Sequence, residues 1–249
     1  MKGKYIYVST QLALLVLILW AMVCGKSQII GISQFLPAAL TSAATLLIWK
    51  EYRSEEKDSK RKPGQGRAEE AERRRMAAGL LLILVGDFFL CLLEGFGIYR
   101  LDWAGYLAFS CVQLCFALRI GRERPVWIIR LIVWLVMEGA AGMPGMMSPA
   151  NFLAILNLAL LLSNVIFAWR RFAAGREKAM LSMAVGLTFF AGCDYGLLAF
   201  ALEESGLLRK VTGLFVWLCY VPAQIGLTLS FEAMAEGDNK IETEKRYGK

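Results

Sequence analysis

Eight apolar runs divide this chain, each long enough to cross the hydrocarbon of a bilayer, which takes about 17 to 25 residues in a helix. They lie at approximately 5–24, 28–49, 77–98, 103–120, 126–142, 150–169, 179–202 and 211–233. In hydrocarbon a backbone has to satisfy its own hydrogen bonds, and a run of this length does so as an α-helix. A soluble domain of 249 residues has no need to be 57% hydrophobic. The first run is too long for a secretory signal peptide and lacks a small-residue cleavage site, so it is expected to stay in the mature protein. The fold class expected is all-α: a polytopic membrane protein of about eight transmembrane helices, one integral membrane domain over residues 1–249.

The net charge of +7 could suggest a nucleic-acid partner, but the placement of the charges argues for topology instead. With the N-terminus in the cytoplasm, 24 of the 28 Lys and Arg fall in cytoplasmic segments. Only Lys26, Arg100, Arg209 and Lys210 fall outside. That asymmetry follows the positive-inside rule and puts both termini in the cytoplasm. Residues 50–76, with mixed charge and a break at Pro63-Gly64, read as a flexible cytoplasmic linker between helices 2 and 3, whose RAEEAERRR end extends the next helix inward. Residues 236–249 read as a cytoplasmic tail. The six cysteines fall within or at the ends of the runs and read as small apolar packing residues.

Two aspartates interrupt the apolar runs. Asp87 lies in AGLLLILVGDFFL and Asp194 in VGLTFFAGCDYGL. Aligning Gly79 with Gly186 brings Asp87 onto Asp194, and the next helix in each case carries a glutamine, Gln113 in FSCVQLCFAL and Gln224 in YVPAQIGLTL. The pattern predicts two parallel four-helix repeats, with helices 3 and 7 running the same way and the acids at comparable depth. Repeat halves commonly hold a site between them.

An ionised Asp at a helix centre costs roughly 2.5–3.5 kcal/mol on insertion scales, so intramembrane acids are functional candidates by default. Facing each other in a low-dielectric cavity, two such acids would share one proton. A neutral acid beside a carboxylate is what general acid–base hydrolysis needs. Protonated acids that only bond neighbouring helices are the plainer alternative. The chain has no histidine, which excludes a Ser-His-Asp triad, a Cys-His pair and a His-based zinc site. No Gly-rich phosphate loop is present, and no metal or cofactor is expected.

GLLLILVGDFFL, GLTFFAGCDYGLLAF and CYVPAQIGL together resemble the YhhN family, the membrane lysoplasmalogenases. That family has about eight membrane helices, a Gly-Asp in the third, a Ser-Asp-like pair in the seventh and a Tyr/Gln-containing last helix. The resemblance implies Asp87 and Asp194 as a catalytic pair, with Tyr220 and Gln224 matching the last helix. It also implies hydrolysis of the vinyl ether of a lysoplasmalogen to a fatty aldehyde and a glycerophospho-head group. The chain departs from the family pattern at Gln113, where many members carry a histidine, at Gln34 and Pro37 in SQFLP, where a Lys-Pro pair is expected, and at Cys193, which stands for the usual serine. The partners implied are a lysophospholipid substrate and membrane lipid, with no nucleic acid and no obligate protein partner. The plasma membrane of a bacterium is the expected location.

Further substrate-binding candidates come from position. Gln113, Gln224 and Tyr220 could orient the acids or hold the head group. Tyr195 follows Asp194 and points about 100° away around the helix. Glu94 lies two turns beyond Asp87 on the same face and could line an entrance. Asn157, with Asn164 seven residues on, could line the cavity or bridge helices. Trp103, Trp127, Trp169 and Tyr99 sit near run ends, as an aromatic belt would. Other classes remain open: a small proton-coupled transporter carrying the proton on the same acids, a non-enzymatic lipid-binding protein, and an intramembrane aspartyl protease, whose motif order differs from the one here.

Overall fold

The computed structural model describes the chain except residues 1, 25–26, 59–66, 94–95, 99, 122, 142–147, 203–205 and 248–249. Side chains of residues 2, 27–34, 55–58, 67–69, 140–141, 201–202 and 236–247 also lie outside the description. The described residues form helices with no strand among them. In chain order these are α1 (Lys2–Val23), α2 (Ser27–Asp58), α3 (Arg67–Asp87), α4 (Asp102–Ile120), α5 (Arg124–Ala141), α6 (Pro149–Gly175), α7 (Lys178–Leu202) and α8 (Gly206–Tyr247). Helix α3 continues into a π-helical turn, Phe88–Leu92.

Six stretches are long and apolar enough to cross a membrane: Gly3–Val23, Glu70–Leu92, Asp102–Ile120, Pro149–Gly175, Lys178–Phe200 and Gly206–Ala235. Helices α2 and α5 are not among them. Three charged residues, Arg124, Arg130 and Glu138, fall within the 18 positions of α5, and the first turns of α2 lie outside the described side chains. The outward faces are apolar. Ile128, Leu131, Ile132, Leu135 and Val136 of α5 are all exposed, as are Ile6 and Val16 of α1. Continuous apolar surface of this kind suits lipid and not water.

Residues 50–58 are helical as the end of α2, and α3 begins at Arg67. The stretch read from sequence as a linker is therefore helical at both ends, because its Glu, Lys and Arg residues are good helix formers once a neighbouring helix supplies the nucleus. The expected tail likewise continues α8 as far as Tyr247.

The core lies between α3, α4, α7 and α8, around Leu80, Ile83, Val112, Phe116, Leu187, Val221 and Leu227. Glycines set how closely these helices approach. A Cβ at Gly186 would stand 2.9 Å from the Leu227 backbone nitrogen, and one at Gly226 would stand 2.8 Å from the Gly186 Cα. Helices α7 and α8 thus cross with their backbones nearly in contact, as small residues allow in membrane helices. A Cβ at Gly86 would stand 2.6 Å from the Phe109 ring.

The α3–α4 contacts recur at matched positions between α7 and α8. Gly79 packs on Phe116 and Cys115, and Gly186 on Leu227 and Gly226; these are equivalent positions under the alignment that superposes Gly79 on Gly186 and Gln113 on Gln224. Arg119 joins the two sets. Its Nη1 reaches Met76 and Met183, which are equivalent, and Ser230, which is equivalent to Arg119 itself. The packing of the remaining helices differs in two places: α1 and α3 pack on α8, while among the described residues α5 and α7 make no backbone approach to α4.

Gly186→Val should destabilise the protein by about 1–3 kcal/mol, because the added bulk meets backbone and has to separate two helices. Gly139→Ala, where a Cβ meets nothing within 4 Å, should be neutral or mildly stabilising. Unfolding of purified protein in detergent, followed by circular dichroism, compares the two.

Candidate active site

Asp87 is the last residue of α3 before the π-helical turn. π-Turns widen a helix locally and often mark functional positions. The side chain is buried, at 2% exposure, and the Tyr220 hydroxyl of α8 donates to its Oδ2. The Tyr220 ring packs edge-on against Trp217, with centroids 5.3 Å apart, and tilted against Phe190 at 6.1 Å. Asp194, half-buried on α7, accepts from Asn157 Nδ2 of α6 at 2.9 Å. Cys193, the residue before Asp194, is buried.

Both acids belong to one level of the bundle, since Tyr220 bonds Asp87 while its neighbour Cys219 packs on Gly192, two residues before Asp194. No hydrogen bond joins them among the described residues. Each has its own neutral donor, which makes the arrangement different from a facing pair bonded through one shared proton. Met76 and Met183 meet at Arg119, and the acids lie eleven positions further along α3 and α7. Helices α3 and α7 therefore run in the same direction, and the acids sit about 16 Å from Arg119 at 1.5 Å per residue.

The remaining sequence candidates fall into three groups. Gln113 is fully buried and accepts from Asn164 Nδ2 through both its side chain, at 3.1 Å, and its carbonyl, at 2.9 Å. It lies one turn from Phe109, the ring that Gly86 packs on, and does not bond either acid. Gln224 is fully buried one turn from Tyr220, and neither its Nε2 nor its Oε1 has a partner. Asn157 Oδ1 and Gln113 Nε2 are also without partners. Three amides near the acids thus retain unused hydrogen-bonding capacity, a property more common in functional sites than in settled cores. Tyr195, in contrast, is 69% exposed on the outward face of α7 and takes no part in the cluster. Glu94 and Tyr99 lie outside the described residues, as does the side chain of Gln34. Among the described residues, no group of three or more Cys, Asp or Glu converges as metal ligands would.

Sequence reasoning missed two polar features. One is Arg130, which is buried and donates through Nη2 to Asn164 Oδ1 at 2.9 Å, while its guanidinium lies 4.7 Å from the Trp127 ring. The positive-inside count treated it as a marker of topology. The other is a stripe on α8. Tyr220, Gln224, Thr228 and Glu232 recur every four residues and so share one face. The Tyr7 hydroxyl bonds Thr228 Oγ1 at 2.9 Å and Thr41 Oγ1 at 3.0 Å, and donates to the Gln224 carbonyl at 3.3 Å. Gln11 Nε2 donates to Tyr7, to Thr41 and to the Pro37 carbonyl. At the end of the stripe, Lys4 pairs with Glu232 at 3.6 Å. The four-residue spacing was readable in the sequence; the hydroxyls that α1 and α2 add were not.

An all-helical chain with apolar outer faces and two interior acids at one level is an integral membrane protein with a polar interior site. Residues 35–231 match the YhhN family, and the chain belongs to it. No curated protein and no solved structure matches the chain.

Asn164 bridges Gln113 and the buried Arg130, so Asn164→Leu should cost about 2–3 kcal/mol by leaving a charged donor without its acceptor. Adding Arg130→Met should recover part of that loss. A double-mutant cycle on unfolding free energies measures the coupling.

Proposed function

We propose that this protein is a lipid hydrolase that cleaves the vinyl ether bond of lysoplasmalogens, with Asp87 and Asp194 as general acid and base. Membership of the YhhN family supports a lysoplasmalogenase-like reading. The observation that carries it is the pair of interior acids at one level of the bundle, each held by its own neutral donor, Tyr220 or Asn157. The reading takes all eight helices as membrane spans, with both termini cytoplasmic, and the matched contacts of α3–α4 and α7–α8 as the trace of two parallel repeats.

One carboxyl protonates the vinyl β-carbon and creates an oxocarbenium ion. The other, as carboxylate, stabilises that cation and takes a proton from the water that adds to it. The hemiacetal then collapses to fatty aldehyde and the alcohol of the glycerophospho-head group. One water is consumed: one of its protons replaces, on the pair of acids, the proton left on carbon, and the other passes from the hemiacetal hydroxyl to the departing alcohol. Tyr220 and Asn157 each carry both donor and acceptor atoms, so both can follow their acid through a change of protonation. The unpartnered amides of Gln224 and Gln113 are suited to the substrate's hydroxyl and phosphate oxygens.

The test is aldehyde release from a lysoplasmalogen by purified protein. Asp87→Asn and Asp194→Asn, checked for folding by thermal melting, should each lose about a hundredfold or more. Tyr220→Phe should lose about tenfold, the value of one hydrogen bond to a charged group. Release that survives either Asp substitution rejects the mechanism.

The polar stripe on α8 favours a second reading, proton-coupled transport. It would gain if the wild type released no aldehyde but moved protons across liposome membranes in a way that depends on Asp87.

A further inference from the structure

At the end of the bundle away from the two acids, a cavity of about 530 Å³ opens beside the last turn of α4. Its walls include Glu72, Arg119, Glu123, Phe167, Arg170 and Arg171. Three guanidinium groups thus face two carboxylates. The volume falls within the range of small-molecule sites, about 300–1,000 Å³.

Arg119 carries the inference. It is buried, at 3% exposure, and its Nη1 donates to Ser230 Oγ at 2.9 Å, to Met183 Sδ at 3.0 Å and to Met76 Sδ at 3.2 Å. All three acceptors are neutral, and two are weak thioethers. Among the described residues no carboxylate accepts from this guanidinium. Glu72 and Glu177 attract it from beyond bonding distance, and a buried charge with no acceptor of opposite sign in contact is costly. Arg171 is fixed beside it, donating through Nη1 to the Arg119 carbonyl at 2.6 Å and closing the end of α4. Arg170 lies exposed at the rim, its guanidinium 5.7 Å from the Phe167 ring. The result is a cationic floor, a cationic rim and one aromatic wall.

We propose that this cavity binds a phosphate-bearing anion, through the bidentate geometry by which guanidinium groups recognise phosphate oxygens. Two sources present that chemistry, the head group of an anionic membrane lipid and free phosphate. Basic pockets between membrane helices commonly take lipid head groups, and the Phe167 wall suits a ligand with an apolar portion. The site is separate from the acids, about 16 Å along the bundle, and stands whether or not the chain hydrolyses vinyl ethers.

The full chain, purified in a nonionic detergent, is titrated with phosphatidylglycerol, with inorganic phosphate and with uncharged diacylglycerol. Binding is read by native mass spectrometry and by the shift in melting temperature. Phosphatidylglycerol should bind and diacylglycerol should not. Arg170→Gln, at an exposed position, should weaken binding about fivefold, the worth of one basic side chain near a membrane surface. Glu123→Gln removes a negative charge from the wall and should strengthen binding, an effect that loss of packing would not produce. Inorganic phosphate binding as tightly as the lipid would make the free anion the ligand, and binding of the lipid alone would make it the head group. Absence of binding by both, or equal affinity in wild type and both variants, overturns the proposal.

Discussion

A polar side chain carried into hydrocarbon has no water to bond, so its partner has to come from another helix of the same protein. Tyr220 of α8 answers Asp87 of α3, and Asn157 of α6 answers Asp194 of α7. Asn164 of α6 answers both Gln113 of α4 and Arg130 of α5. Tyr7 of α1 meets Thr41 of α2 and Thr228 of α8. Together these bonds touch every helix. Each is worth only about 0.6 kcal/mol on average in a membrane interior, yet each fixes the rotation of two helices about their axes, because a slip of one residue turns a side chain by about 100°.

The bonds can form only because the helices approach closely enough. The Gly186–Gly226 crossing brings α7 against α8, and Gly86 admits the Phe109 ring against α3. Where those approaches fix the axial register, Tyr220 arrives at the level of Asp87. Small residues and polar residues are thus two halves of one device. The first sets separation and height, and the second sets rotation.

Part of this was legible beforehand. Asp87 and Asp194 stand out in apolar runs, and the shared Gly-to-Asp spacing makes their common depth readable without coordinates. The partners were less so. Tyr220 is 133 residues from Asp87, and helical periodicity says which face of a helix is polar without saying which helix it meets. Arg119 and Arg130 show the same limit. As basic residues near run ends they read as markers of the cytoplasmic side, yet both are buried. Tyr195, adjacent to an acid in sequence, faces outward because successive helical residues do not share a face.

The sequence by itself determined that the chain is helical and membrane-spanning, since run length and apolarity are local quantities that a bilayer reads directly. It also determined which acids are exceptional, because burial of charge in hydrocarbon is costly wherever the helix packs. Only the tertiary structure decided that the acids are held separately by Tyr220 and Asn157, that Gln224 is left with both polar atoms unused, and that Arg119 closes one end of the bundle against two thioethers and a hydroxyl. Those facts depend on which helices adjoin and at what height, and the interactions that choose among such packings join residues tens to hundreds of positions apart.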